Sequence, residues 1–179
     1  MQKSGVVFRK KSKEFLKSGG EWCKMEETTM LVRSGHMFMG TYYNSIDAKN
    51  RMIVPSKHRD QLGGKCVITK GLDQCLYIYS LPDWEKQLEK IAVLPESDPK
   101  VRGYIRHVCA NALECDFDKQ GRIVIPAELK EYAGIDKELV TMGAMKKIEV
   151  WSKEIWDAPD NDNKMDAQEF ADTLTQYQF

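Results

Sequence analysis

"DAKNRMIVP" occupies residues 47–55, and "DKQGRIVIP" occupies residues 118–126. Each runs from an aspartate through three small or polar residues to an arginine, then three apolar residues and a proline, and the copies stand 71 positions apart. The middle residues, Lys49-Asn50 and Gln120-Gly121, are turn formers, because Asn and Gly tolerate positive φ. "RMIV" and "RIVI" are rich in β-branched residues, so each copy reads as strand, tight turn, strand. Pro55 and Pro126 end the strand and suit the start of a helix. "SKHRDQL" and "AELKEYA" then supply one or two helical turns, closed by Gly63-Gly64 and by Gly134.

The correspondence extends on both sides. "MFMGTYYNSI" and "ALECDF" alternate well enough to be strands leading into the motifs. Downstream, "CVITK" with "CLYIYS", and "LVTMG" with "KIEVW", are two further short strands per copy. After a one-residue slip, residues 67–84 align with 140–156, matching Gly71 to Gly143, Ser80 to Ser152 and Trp84 to Trp156. Roughly fifty residues of short strands bury too little apolar surface to fold alone, whereas two copies interleaved about a pseudo-twofold axis can. The expected object is mixed but mostly β, with short helices. Its plan is repeat 1 at 37–85, a helical connector at 86–110, repeat 2 at 111–157 and an acidic tail at 158–179.

The bulk composition agrees with a soluble globular chain: 42% hydrophobic and 30% charged, with no apolar run long enough to span a membrane. Five cysteines, odd in number and without CxxC spacing, read as reduced thiols in a cytoplasmic protein. The net charge is zero but unevenly spread, at +4 over residues 1–38 and −4 over 158–179. Residues 1–36 carry no periodic pattern. They read as a start assigned too far upstream, or else as a flexible basic arm.

Asp47 and Asp118 sit where a carboxylate accepts backbone N–H bonds from the turn that follows. Arg51 and Arg122 sit just beyond, within reach of that carboxylate. In the plainer reading each Asp–Arg pair pins its own turn. In the sharper one the two turns lie side by side and present Lys49, Arg51, Lys119 and Arg122 from one face. Arginine suits bidentate contact with phosphate or guanine edges, so such a face would read nucleic acid. From Lys49 to Arg59 there are two arginines, two lysines and one histidine, His58, with no acid.

"MFMGTYYNSIDAKNRMIVPSKHRDQLG", "KGLDQCLYIYSLPDWEK", "ECDFDKQGRIVIP" and "IEVWSKEIW" resemble the MraZ family, bacterial transcriptional regulators with a duplicated AbrB-like fold. The resemblance covers about residues 37–157. It implies a swapped-hairpin β-barrel, assembly into a ring-shaped homo-oligomer, and binding of double-stranded DNA at short repeats ahead of the cell-division and cell-wall operon. Carried over, Arg51 and Arg122 face DNA, Lys49 and Lys119 are auxiliary phosphate contacts, and Asp47 and Asp118 organise the turns with Asn50 and Gly121. Lys119 is one position out of register with Lys49, whose counterpart is Gln120. Where the family usually has Gly before the first arginine, this chain has Asn50, the next-best residue at positive φ.

The remaining patterns point away from chemistry. His36, His58 and His107 lack metal-ligand neighbours, no cofactor or small-molecule substrate is implied, and no nucleotide-binding or nucleophile-elbow motif occurs. Trp84, Trp151 and Trp156 read as core or inter-protomer packing. The expectation is a DNA-binding regulator without catalysis, cytoplasmic and associated with the nucleoid. The alternative is a protein–protein module of antitoxin type.

Overall fold

A computed structural model describes residues 37–159, 167–175 and 177; the extension at 1–36, and Met165 in the tail, lie outside them. Strands β1 (Thr41–Ser45), β2 (Arg51–Ile53), β3 (Lys65–Lys70) and β4 (Leu76–Ser80) form the first copy, with helix α1 (Ser56–Leu62) after β2. The second copy repeats the order as β5 (Leu113–Asp116), β6 (Arg122–Val124), α4 (Ala127–Tyr132), β7 (Glu138–Ala144) and β8 (Lys147–Ser152). Two helices connect the copies, α2 (Leu81–Ala92) and α3 (Pro99–Cys109), while α5 (Lys153–Asp157) and α6 (Ala167–Thr175) follow the second. The prolines stand at the helix entries as expected: Pro55 and Pro126 are the N-cap residues of α1 and α4.

Strand pairing shows why neither copy is self-sufficient. The six-stranded antiparallel sheet runs β1-β7-β8-β4-β3-β5, and β2 pairs with β6 in a separate two-stranded ribbon. The first strand of each copy therefore lies against the other copy, Thr41 opposite Met142 and Lys65 opposite Asp116. Equivalent strands meet at the centre. Met52 faces Ile123, and Tyr77 faces Glu149 with Leu76 opposite Val150 and Ile78 opposite Ile148. Such self-pairing of equivalent strands is what a pseudo-twofold axis requires. The six-stranded sheet has β1 and β5 at its two ends, and the ribbon forms a second sheet beside it.

The ladders also revise one detail of the repeat. Cys66 pairs with Ser80 and Leu139 with Ser152, which aligns Cys66 with Leu139 and Val67 with Val140. Gly71 is then the counterpart of Ala144, not of Gly143. The slip falls in the hairpin turn, which is longer between β3 and β4 than between β7 and β8; Gln74 and Met145 take positive φ there. Gly143 has its own reason to be glycine. Its N–H donates to Gly40 O, and a Cβ would strike the backbone of Phe38 and Met39.

One face of the sheet packs on the ribbon and on α1 and α4. Met52, Val54, Ile123 and Ile125 from the ribbon, Leu62 and Leu129 from the helices, and Ile68, Ile78, Leu139 and Ile148 from the sheet share one buried core. The opposite face carries Cys75, Tyr77, Tyr79, Val140 and Trp151, with Trp84, Ile155 and Trp156 packed against them. The tryptophans thus belong to the packing layer away from the turns, as their position in the repeat predicts. Helix α6 of the tail is exposed, including Phe170 and Leu174.

Candidate nucleic-acid interface

Each motif closes a three-residue loop, Ala48-Lys49-Asn50 and Lys119-Gln120-Gly121. Asp47 N–H donates to Arg51 O (2.9 Å) and Asn50 N–H to Asp47 O (2.9 Å); Asp118 N–H donates to Arg122 O (3.0 Å) and Gly121 N–H to Asp118 O (2.9 Å). The last loop residue must take a left-handed backbone, which Asn50 (φ 54°) and Gly121 (φ 73°) supply. Asn50 therefore keeps the turn that glycine would give. The arms then diverge: beyond the turn β1 joins the large sheet and β2 joins β6.

The aspartates bond across these loops. Asp47 Oδ1 accepts from the N–H groups of Lys49 (2.8 Å) and Arg51 (3.0 Å), and Oδ2 accepts from Arg51 Nε (2.8 Å) with Nη2 at 2.7 Å. Asp118 repeats the set with Gln120 N–H (2.8 Å), Arg122 N–H (3.0 Å), Arg122 Nε (2.8 Å) and Nη2 (2.7 Å). Gln120 stands in the place of Lys49, so the loops agree with the sequence register. The arginine side chain, followed by its backbone N–H, holds each carboxyl well below the ordinary range, that of Asp118 at about 2. Both aspartates are thus ionised at any physiological pH.

The two turns are neighbours. Arg122 Nη1 lies 3.6 Å from Asp47 Oδ2, so the first copy's carboxylate faces both guanidinium groups. Arg51 and Arg122 keep 29% and 20% of their side chains exposed, and Lys49 and Lys119 are exposed. Pairing with its own aspartate uses Nε and one hydrogen of Nη2 of each arginine, and Arg122 also turns Nη1 toward Asp47. The outer edge of each guanidinium retains donors, since arginine has five. Each Asp–Arg pair thus bridges its own turn, and the two turns lie side by side.

Two neighbours change the picture. His58 is not a surface cation: it is fully buried, its Nε2 is 3.2 Å from Met39 O, and its ring meets Phe38 and Tyr42 edge-on. Burial pushes its pKa down, so it is a neutral core group. Arg59, one residue on, packs its guanidinium across the opposite loop, where a Cβ on Gly121 would collide with it. Gly121 is thus fixed twice, by its φ and by this close approach. A signal for Arg59 was present, since its repeat counterpart, Lys130, is also basic.

Among the described residues no cluster of three or more His, Cys, Asp or Glu is placed to hold a metal ion. Nor is any helix among them long and apolar enough to cross a membrane. His107 Nε2 lies 2.8 Å from Gly71 O, an acceptor that Tyr132 O–H also uses at 2.8 Å. Burial pushes the Cys66 and Cys75 thiols up to about 12, which keeps both inert.

A family model described as "MraZ protein, putative antitoxin-like" matches residues 37–106 and again residues 108–177. The chain belongs to the MraZ family. Proteins named Transcriptional regulator MraZ are similar to it over nearly their whole length. That of Thermoanaerobacter sp. (strain X514) is 45% identical over 138 residues, 77% of this chain and 96% of the relative. The MraZ of Acetivibrio thermocellus is 45% identical with the same coverage, and that of Pediococcus pentosaceus 40% identical over 79% of this chain and 99% of its own. The two MraZ matches each contain one Asp–Arg turn, so the duplicated site is a property of the matched region itself.

Proposed function

We propose that this protein is a sequence-specific DNA-binding transcriptional regulator without catalytic activity. It works in the cytoplasm on the nucleoid, as a ring-shaped homo-oligomer bound to short direct repeats upstream of the cell-division and cell-wall gene cluster. The observation that carries the reading is the juxtaposition of the two Asp–Arg turns, which brings Arg51 and Arg122 together around Asp47, with Lys49 and Lys119 exposed in the same two loops. The aspartates fix the loops and aim the guanidinium groups; the free edge of Arg51 and of Arg122 contacts a base edge or a phosphate. Lys49 and Lys119 add phosphate contacts, and the ordered loops make this face preorganised. Membership of a family whose named relatives are transcriptional regulators supports the same assignment.

A neutral chain needs more than one such face to hold DNA. Linked copies on neighbouring repeats raise the effective concentration of each further contact, and avidity then replaces net positive charge. A gel shift on the DNA upstream of the protein's own gene tests this with one, two and three repeats present. Affinity that climbs steeply with repeat number supports the ring; a single repeat bound as tightly as three removes it. The second reading, an antitoxin-type module, has the family description in its favour. The duplicated turn and the short acidic tail favour the regulator.

A further inference from the structure

The outward face of the β2–β6 ribbon carries a pattern that the arginines do not account for. Strand alternation sends Met52 and Ile123 into the core, where they are 0% and 1% exposed, and turns Arg51, Ile53, Arg122 and Val124 to the other side. Ile53 is 52% exposed and Val124 53%, two branched apolar side chains left half in water at equivalent places in the two copies. Each stands directly across the ribbon from an arginine, Ile53 opposite Arg122 and Val124 opposite Arg51. The face is a four-residue square in which guanidinium and apolar groups alternate about the pseudo-twofold axis.

We propose that Ile53 and Val124 read the 5-methyl groups of thymine in the major groove, at base pairs beside those contacted by the arginines. This rests on the assignment of the ribbon face to DNA. A two-stranded ribbon is narrow enough to enter the major groove. Of the groups a base pair shows there, the thymine methyl is the apolar one, and an apolar side chain recognises it. Directly opposed residues have side chains about 5 Å apart, which places an arginine and its apolar partner over adjacent base pairs. The flanking cations supply the charge complementarity that commits this face to a nucleic acid. Branching also keeps both side chains stiff, so little conformational freedom is lost on contact.

The test compares two versions of the upstream DNA by fluorescence anisotropy, one natural and one with every thymine replaced by deoxyuridine, which removes the methyl and keeps base pairing. Wild-type protein is expected to bind the uracil DNA about fourfold more weakly for each methyl contacted. The double variant Ile53→Ala/Val124→Ala should bind natural DNA about as weakly and show no preference between the two. Wild-type binding that ignores the methyl, or a double variant that keeps the full preference, overturns the inference while leaving DNA binding intact. A double variant that sediments as a smaller assembly overturns it too, because the ribbon face would then be a contact between copies. Wild type without affinity for either DNA fails the regulator itself. Both substitutions are at exposed positions, so an unchanged thermal melt is expected and confirms that the fold is retained.

Discussion

Truncating Met52 to alanine removes three heavy atoms from the point where the two copies face each other, Met52 opposite Ile123 on the pseudo-twofold axis. At about 0.8 kcal/mol per buried carbon-sized group the transfer loss alone is roughly 2.4 kcal/mol. The surroundings are the paired strand, two helices and the sheet behind, and they can close over the gap only in part. A total of about 3 kcal/mol is therefore expected, within the usual range of about 2–5 kcal/mol for such changes. Ile123→Ala removes the same number of atoms and should cost about as much, although it lies 71 residues away. The informative quantity is the double variant. Because the two side chains share one set of neighbours, their losses should depart from additivity by more than about 0.5 kcal/mol. Urea unfolding of the four proteins, followed by circular dichroism, measures all three numbers. A loss below about 1 kcal/mol for either single variant, or strict additivity, would refute the shared core and leave two independent halves.

Other consequences can be checked with the same protein. Gly121→Ala should destabilise by about 1–2 kcal/mol for the left-handed backbone alone, and adding Arg59→Ala should recover the steric part of the loss in a thermal melt. Folded His58 resists the proton that the unfolded chain accepts near pH 6.5, so stability should fall as pH drops below that value, and His58→Gln should flatten this limb. A second decline is expected from about pH 3.8 downward, as the unfolded aspartates take up protons that Asp47 and Asp118 refuse until about pH 2 or lower; urea midpoints across pH resolve both. Two phosphate contacts per engaged protomer, from Lys49 and Lys119, predict a log–log salt slope of about −1.8, reduced by about 0.9 in Lys49→Ala. Deleting residues 158–179, which carry −4, should tighten DNA binding if the tail competes with phosphate, and unchanged affinity disposes of that idea.

Much of this was legible in the sequence because the deciding features are local. An aspartate before a loop, a residue that tolerates positive φ and a β-branched run give the turn and its strands at short range, twice, with the same spacing. The incapacity of fifty residues to bury a core then forces the copies together. What escaped is non-local. That β1 pairs with β7 and β5 with β3 depends on which copy each strand meets, and no pattern within one strand encodes that choice. The misplaced Gly71–Gly143 match arose because two glycines of different purpose fell at one spacing: Gly71 begins a hairpin turn, while Gly143 makes room for the backbone of residues 38–39. His58 reads as a cation beside Lys57 and Arg59, and only the fold reveals that it points inward between Phe38 and Tyr42. Arg59 looked like one more surface charge until the opposite loop was seen beneath it.

The paired guanidinium groups are the claim on which the functional account stands. A direct measurement is a titration of upstream DNA with wild type, Arg51→Ala, Arg122→Ala and the double variant, each shown by thermal melt to be folded. The account predicts that either single variant binds at least about tenfold more weakly, and that the double variant loses its preference at the base pairs the arginines contact. Equal affinity across all four proteins would contradict it.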